Sequence, residues 1–118
     1  MSKIIVTGAA GYIGGQISIA LRDAGYQVIG IDLMPAPAHL VTQFTRFHQT
    51  DFASDTALQT ILEHRPDAII HCAGTSLVGP SLDNPQEYYN NNVVKTLRLL
   101  DMVVNKLSDT RFIFSSSA

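Results

Sequence analysis

The stretch Thr7-Gly8-Ala9-Ala10-Gly11-Tyr12-Ile13-Gly14 decides how the rest of the chain is read. It follows the apolar run Lys3-Ile4-Ile5-Val6-Thr7, which predicts a strand covered on both faces. It opens a segment of helical periodicity from about Tyr12 to Ala24, with Ile13, Ile17, Ala20, Leu21 and Ala24 on one stripe expected to face the core. Gly25 stands where such a helix ends. Three glycines spaced three apart let the backbone turn tightly and approach a pyrophosphate with no Cβ in the way. The helix start that follows offers unpaired N–H groups and the positive end of the helix dipole.

A glycine triplet alone is weak evidence, and its weight here comes from what answers it. Gln27 to Asp32 reads as a second strand ending in an acid, 18 residues beyond Gly14. A carboxylate at that spacing can accept hydrogen bonds from both hydroxyls of an adenosine ribose, and its charge repels a 2′-phosphate. No Arg or Lys lies among the residues just after Asp32. The combination predicts a dinucleotide site that prefers NAD to NADP. A glycine turn with no ligand, and Asp32 as an ordinary loop acid, are the bland alternatives.

Further along, Met34-Pro35-Ala36-Pro37 interrupts the pattern and Ala38 to Gln43 carries no clear periodicity. A third strand is expected around Thr45 to Thr50. Ser54 or Asp55 can cap a short helix to about His64, which Pro66 closes. Asp67 to Cys72 is a fourth strand running into Ala73-Gly74, and a long helix is expected from roughly Asn84 to Leu107. Its Val93, Leu97, Leu100, Val104 and Leu107 alternate four and three apart, a heptad-like face. Arg111 to Phe114 reads as a fifth strand ahead of Ser115-Ser116-Ser117-Ala118. This alternation predicts an α/β domain over 1–118: a Rossmann-type doubly wound parallel sheet of strand order 3-2-1-4-5.

Composition narrows the function classes. The 118 residues are 46% hydrophobic and 15% charged, which argues for one compact core and against disorder. Eight basic and ten acidic residues give a formal charge of −2, with no nucleic-acid footprint. A single cysteine, Cys72, excludes an internal disulfide framework, and no Cys/His spacing suggests a metal. There is no signal-peptide core and no apolar run near the ~18 residues of a membrane span. The expectation is a soluble, cytoplasmic domain with neither membrane nor nucleic acid as partner.

The Gly-x-x-Gly-x-x-Gly spacing resembles that of the extended, sugar-nucleotide-modifying branch of the short-chain dehydrogenase/reductase superfamily. Other segments resemble it too: Gln49-Thr50-Asp51-Phe52, Ile70-His71-Cys72-Ala73-Gly74, Pro85-Gln86-Glu87-Tyr88-Tyr89-Asn90-Asn91-Asn92-Val93 and Phe112-Ile113-Phe114-Ser115-Ser116-Ser117-Ala118. Together they are most similar to the N-terminal, NAD-binding part of the UDP-glucose (UDP-galactose) 4-epimerase family. The resemblance implies that Gly8, Gly11, Tyr12, Ile13 and Gly14 line the pyrophosphate turn and that Asp32 takes the ribose. It implies that Asp51 and Phe52 flank the adenine, that Cys72, Ala73 and Gly74 pass beside the cofactor, and that Asn91 reaches it from the long helix. Ser117 would be the active-site serine that bonds the substrate hydroxyl, with Ser115 nearer the nicotinamide ribose. His71 reads as a structural histidine, Cys72 as a small reduced side chain near the core, and Tyr88 and Tyr89 as packing residues.

Two departures stand out. The family's epimerases usually carry Lys two residues after the Ala-Gly step, where this chain has Ser76, and Asn-Gly-Thr where it has Val94-Lys95-Thr96. The family also uses a Tyr with a Lys four residues on as its base. Tyr12, Tyr26, Tyr88 and Tyr89 are followed at that distance by Gln16, Gly30, Asn92 and Val93. The expectation is therefore a chain truncated before the last strands and the substrate lobe, inactive alone. It should self-associate through the 84–107 helix or the edge strand 111–114, and its nucleotide-sugar substrate belongs to the full-length enzyme. A nucleotide-sugar dehydratase, decarboxylase or reductase, a non-catalytic NAD-sensing module and a degenerate fragment remain as rivals.

Overall fold

A computed structural model describes residues 2–73, 86 and 93–115. Five strands, β1 (Lys3–Thr7), β2 (Gln27–Asp32), β3 (Arg46–Gln49), β4 (Ala68–His71) and β5 (Arg111–Phe114), form one sheet in the order β3-β2-β1-β4-β5. Every pairing is parallel. The strand order and all five strands agree with expectation; β3 and β4 are one residue shorter at each end, although the backbone N–H groups of Thr45, Thr50, Asp67 and Cys72 still bond the neighbouring strands. β1 lies at the centre because its apolar run can be buried on both faces: Ile4 and Val6 point one way and Ile5 the other.

Two cores result. On one side Ile4, Val6 and Val28 pack with Ala9, Leu40 and Phe44 under α1 (Tyr12–Asp23). On the other, Ile5, Ile29, Ile31 and Ile69 meet Ile61 of α2 (Asp55–His64) and Leu99 and Val103 of α3 (Lys95–Lys106). The unassignable stretch after β2 folds as a short 3-10 turn, Val41–Gln43, whose neighbours Leu40 and Phe44 close the first core.

The helix ends follow from local chemistry. α1 stops at Ala24, and Gly25 adopts φ +94°. The Gly25 N–H bonds the Arg22 carbonyl and the Tyr26 N–H bonds the Leu21 carbonyl, a Schellman ending. In α2 the Ser54 hydroxyl accepts from the Ala57 N–H at 3.1 Å. Ser54→Ala should cost about 1 kcal/mol of stability by leaving that donor uncapped. Chemical denaturation of both chains measures it, and equal midpoints would remove the cap from the account.

One expected face is corrected and a second is partly uncovered. α1 does not seat its Ile13/Ile17/Ala20/Leu21/Ala24 stripe on the sheet: its buried residues are Gly14, Gly15 and Ser18. Ile17 and Leu21 are half-buried at the margin, Ala20 and Ala24 are exposed, and Ile13 is 49% exposed. Small residues win the contact because they let the helix backbone approach the strands. The Ser18 hydroxyl satisfies itself on the Gly14 carbonyl at 2.7 Å. On α3 the sheet takes Leu99 and Val103, with Leu107 just beyond the helix, whereas Leu97 and Val104 of the heptad-like stripe are 57% and 64% exposed. Leu107 of that stripe joins the same core, while its Leu97 and Val104 are left without cover among the described residues. Of the helix expected from Asn84, the described part enters through a π-type turn at Val93 and Val94.

Candidate functional site

The carboxyl ends of β1, β2 and β4 open onto one crevice, at the point where successive connections leave the sheet on opposite faces. β1 delivers Thr7 and the turn Gly8–Gly11. Gly8 has φ +69°, and a Cβ there would lie 2.7 Å from the Ala73 backbone nitrogen. Only glycine serves both the left-handed turn and the close pass of the chain after β4. The Gly11 N–H bonds the Gly8 carbonyl, and a Cβ on Gly11 would touch nothing nearer than that carbonyl oxygen, at 3.4 Å. The face above Gly11 is therefore open for a ligand to approach the backbone.

A cavity of about 320 Å³ fills the crevice, within the range of small-molecule sites. Gly8 and Gly11 line one side, Asp32 and Met34 the end of β2, Asp51 and Phe52 the loop after β3, and Cys72 and Ala73 the end of β4. Lys95 reaches in from the first turn of α3. Asp32 is fixed before any ligand arrives: Oδ2 accepts from the Ala10 N–H and Oδ1 from the Met34 N–H, both at 2.9 Å. Each oxygen keeps acceptor capacity for a further donor. The carboxylate also ties the glycine turn to the end of β2.

Asp51 is likewise held. Its Oδ1 accepts from the Ala53 N–H at 3.0 Å and its Oδ2 from Lys95 Nζ at 2.7 Å. Burial raises the Asp51 pKa, but the bonds from Lys95 and Ala53 outweigh it and hold the carboxyl below its ordinary value. Phe52 is buried beneath the cavity, its ring edge against His71 with centroids 4.6 Å apart.

Behind the cavity a hydrogen-bond chain joins the strand ends. Thr7 Oγ1 accepts from the backbone N–H groups of Cys72 and Ala73, so its own proton goes to His71 Nδ1, 2.6 Å away. His71 Nε2 then carries the ring proton and donates to Thr96 Oγ1 at 2.9 Å. The ring is 1% exposed, and burial pushes its pKa down to about 4, so it is neutral at pH 7. Its partners and burial make it the structural residue expected, a brace beneath the cavity floor. Burial pushes the Cys72 thiol up, against a smaller lowering by a hydrogen bond with Ser115. Such a thiol is protonated and a poor nucleophile at neutral pH. The Ser115 N–H bonds the His71 carbonyl at 3.1 Å, which places it at the end of β5 beside Cys72.

Seven residues anticipated from the sequence thus line the cavity, Gly8, Gly11, Asp32, Asp51, Phe52, Cys72 and Ala73, and Ser115 stands next to Cys72. Tyr12 and Ile13 stand exposed on the first turn of α1, and Tyr12 borders a separate 140 Å³ cavity with Pro37 and His39. Gly14 is buried behind the turn, packed on Gly8. Gly74, Asn91 and Ser117 lie outside the described residues. Sequence reasoning missed Ile31, Leu33, Met34, Thr50 and Lys95 as lining residues. Thr50 had left a trace in the Gln49-Thr50-Asp51-Phe52 motif and Lys95 as a departure from the family's Asn-Gly-Thr.

Known proteins resemble this chain in sequence and fold. A UDP-glucose 4-epimerase of Klebsiella pneumoniae is 35% identical over 98% of this chain and 89% of its own length. That of Halalkalibacterium halodurans is 41% identical over 98% of this chain but 34% of its own. The crystal structure of UDP-glucose 4-epimerase from Brucella ovis in complex with NAD superposes with a TM-score of 0.88 at 32% identity, covering all of this chain and 36% of that one. The corresponding structure from Bifidobacterium longum in complex with NAD+ and UDP gives 0.87 at 35%, over 99% and 37%. Apart from the Klebsiella relative, the chain spans about a third of the length of these proteins. The family described as NAD dependent epimerase/dehydratase matches residues 4–118, and the chain belongs to that family.

Proposed function

We propose that the chain is the NAD-binding portion of a nucleotide-sugar 4-epimerase acting on UDP-glucose and UDP-galactose. The observation that carries this is the cavity itself: an open glycine backbone on one wall and two pre-oriented carboxylates on the other. That set fits an adenosine pyrophosphate. The backbone at Gly11 admits the phosphates, Asp32 takes the ribose hydroxyls, and Asp51 with Phe52 borders the base. When bound, NAD supplies the hydride acceptor and donor for inversion at a sugar carbon. Thr7, His71 and Thr96 brace the floor beneath it, and Ser115 is proposed as the residue nearer the nicotinamide ribose. Ser117 is proposed as the serine that bonds the reacting sugar hydroxyl, and Gly74 and Asn91 as further cofactor contacts. No tyrosine of the 118 residues has a lysine four positions on, so this chain binds cofactor without the family's Tyr–Lys base.

Asp32 provides the test. Titrated calorimetrically, the chain should bind NAD at least ~10-fold more tightly than NADP, since the 2′-phosphate would meet the fixed carboxylate. Asp32→Ala should weaken NAD by roughly 10-fold or more and erase the preference. Absence of saturable NAD binding by the unaltered chain, or a preference that survives the substitution, would overturn the assignment.

A further inference from the structure

Lys95 is the one cation bordering the cavity among the described residues. Its ammonium is 2.7 Å from Asp51 Oδ2, with the two side chains 24% and 29% exposed. Without it the cavity would present two carboxylates, Asp32 and Asp51, to any ligand. Their oxygens serve as hydrogen-bond acceptors, yet carboxylate charge repels a pyrophosphate. Among the described residues Asp32 has only neutral backbone donors as partners, so none of them compensates its charge. Asp51 differs, because an ammonium cancels its charge while occupying only part of the acceptor capacity of Oδ2. An ammonium carries three donors, and Asp51 takes one of them in the described contacts.

Resting on the NAD reading above, we propose that Lys95 is a specificity-determining residue. By neutralising Asp51 it lets the cavity accept an anionic adenine nucleotide in place of a bare nucleoside. The glycine of the family's Asn-Gly-Thr would supply no such charge. The compensation should grow with the negative charge of the ligand and weaken with salt, since the pair is only partly buried.

The experiment compares adenosine, ADP-ribose and NAD as probes on the 118-residue chain, Lys95→Met and Lys95→Arg. Lys95→Met should weaken ADP-ribose and NAD by roughly five- to tenfold, the scale of one charge acting across a half-exposed cavity. Adenosine should change less than ~2-fold, because it carries no charge for the ammonium to meet. Lys95→Arg should restore the anionic ligands, and the methionine variant's NAD affinity should depend less on salt. Thermal melting confirms that each variant is folded. If Lys95→Met binds NAD as well as or better than the unaltered chain, the ammonium competes with the base for Asp51 and the proposal is wrong. If all three probes weaken equally, the pair merely shapes the wall, which also sinks it. Failure of the unaltered chain to bind NAD would instead defeat the cofactor reading beneath it.

Discussion

Gly14→Ala should abolish measurable NAD binding and destabilise the chain by about 3 kcal/mol, although alanine is the better helix former by up to ~1 kcal/mol. The reason is space. A Cβ on Gly14 would stand 2.1 Å from the Gly8 carbonyl oxygen and 2.8 Å from its carbon, with the Ala9 Cα at 3.0 Å. All three atoms are backbone, so no rotamer change relieves the contact. Either α1 lifts from β1 or the turn opens, and each movement takes the Gly8–Gly11 wall out of the cavity. Gly25→Ala is the control. Its φ of +94° strains any L-residue, but nothing lies within 4 Å of the added methyl. It should cost about 1 kcal/mol and leave NAD affinity alone. Thermal unfolding with NAD titration separates the two. A Gly14→Ala chain with ordinary melting and affinity would mean that helix and turn are not in this contact.

Stability should fall by about 3 kcal/mol as pH drops from 7 to 4, most of it through His71. The native ring stays neutral down to about pH 4, while in the unfolded chain it takes up a proton near its ordinary 6.5. Between those values only the unfolded state gains the proton, so the stability complete above pH 7 drains away until the folded pKa is reached. His64 pushes in the same direction, its pKa lowered by partial burial and then by Lys3 and His48. Asp51 acts elsewhere: its carboxyl is held below the ordinary 3.8, so its contribution is lost only under still more acid conditions. Denaturant titrations at pH 7, 5.5 and 4 check this. His71→Leu should be less stable at pH 7, having left Thr7 and Thr96 without their partner, yet much flatter in its pH dependence. An equal slope in both chains would take His71 out of the acid response.

Much of the site was legible because its parts are short and local. The apolar run before Gly8, the acid ending β2 and the Asp51-Phe52 pair after β3 are each decided within a few residues, and parallel topology brings their carboxyl ends together. The packing face of α1 was not legible for a different reason. Hydrophobic periodicity ranks isoleucine above glycine, whereas α1 is seated by Gly14, Gly15 and Ser18 because closeness to the sheet outweighs side-chain area there. On α3, Leu99 and Val103 meet Ile61 and Ile69 although they lie off the heptad-like stripe, and of that stripe Leu107 joins them. The Lys95–Asp51 pair joins residues 44 apart, and nothing near either residue announces the other. His71 showed its structural character in the sequence through its place in a strand, but its two threonine partners belong to β1 and α3.

The central place of β1 also sets a schedule for assembly. β1 is made first, yet the neighbour on its second side, β4, ends at residue 71, 39 residues after β2 closes at Asp32. At ~5–20 residues per second of synthesis, that leaves about 2–8 s in which the free edge of Ile4, Ile5 and Val6 can only wait. During that interval the central strand, apolar at Ile4, Ile5 and Val6, keeps one edge open as a template, and chaperone demand or misassociation on the ribosome should concentrate there. The sheet that builds the cavity thus ties the speed of its own completion to the arrival of a strand encoded late.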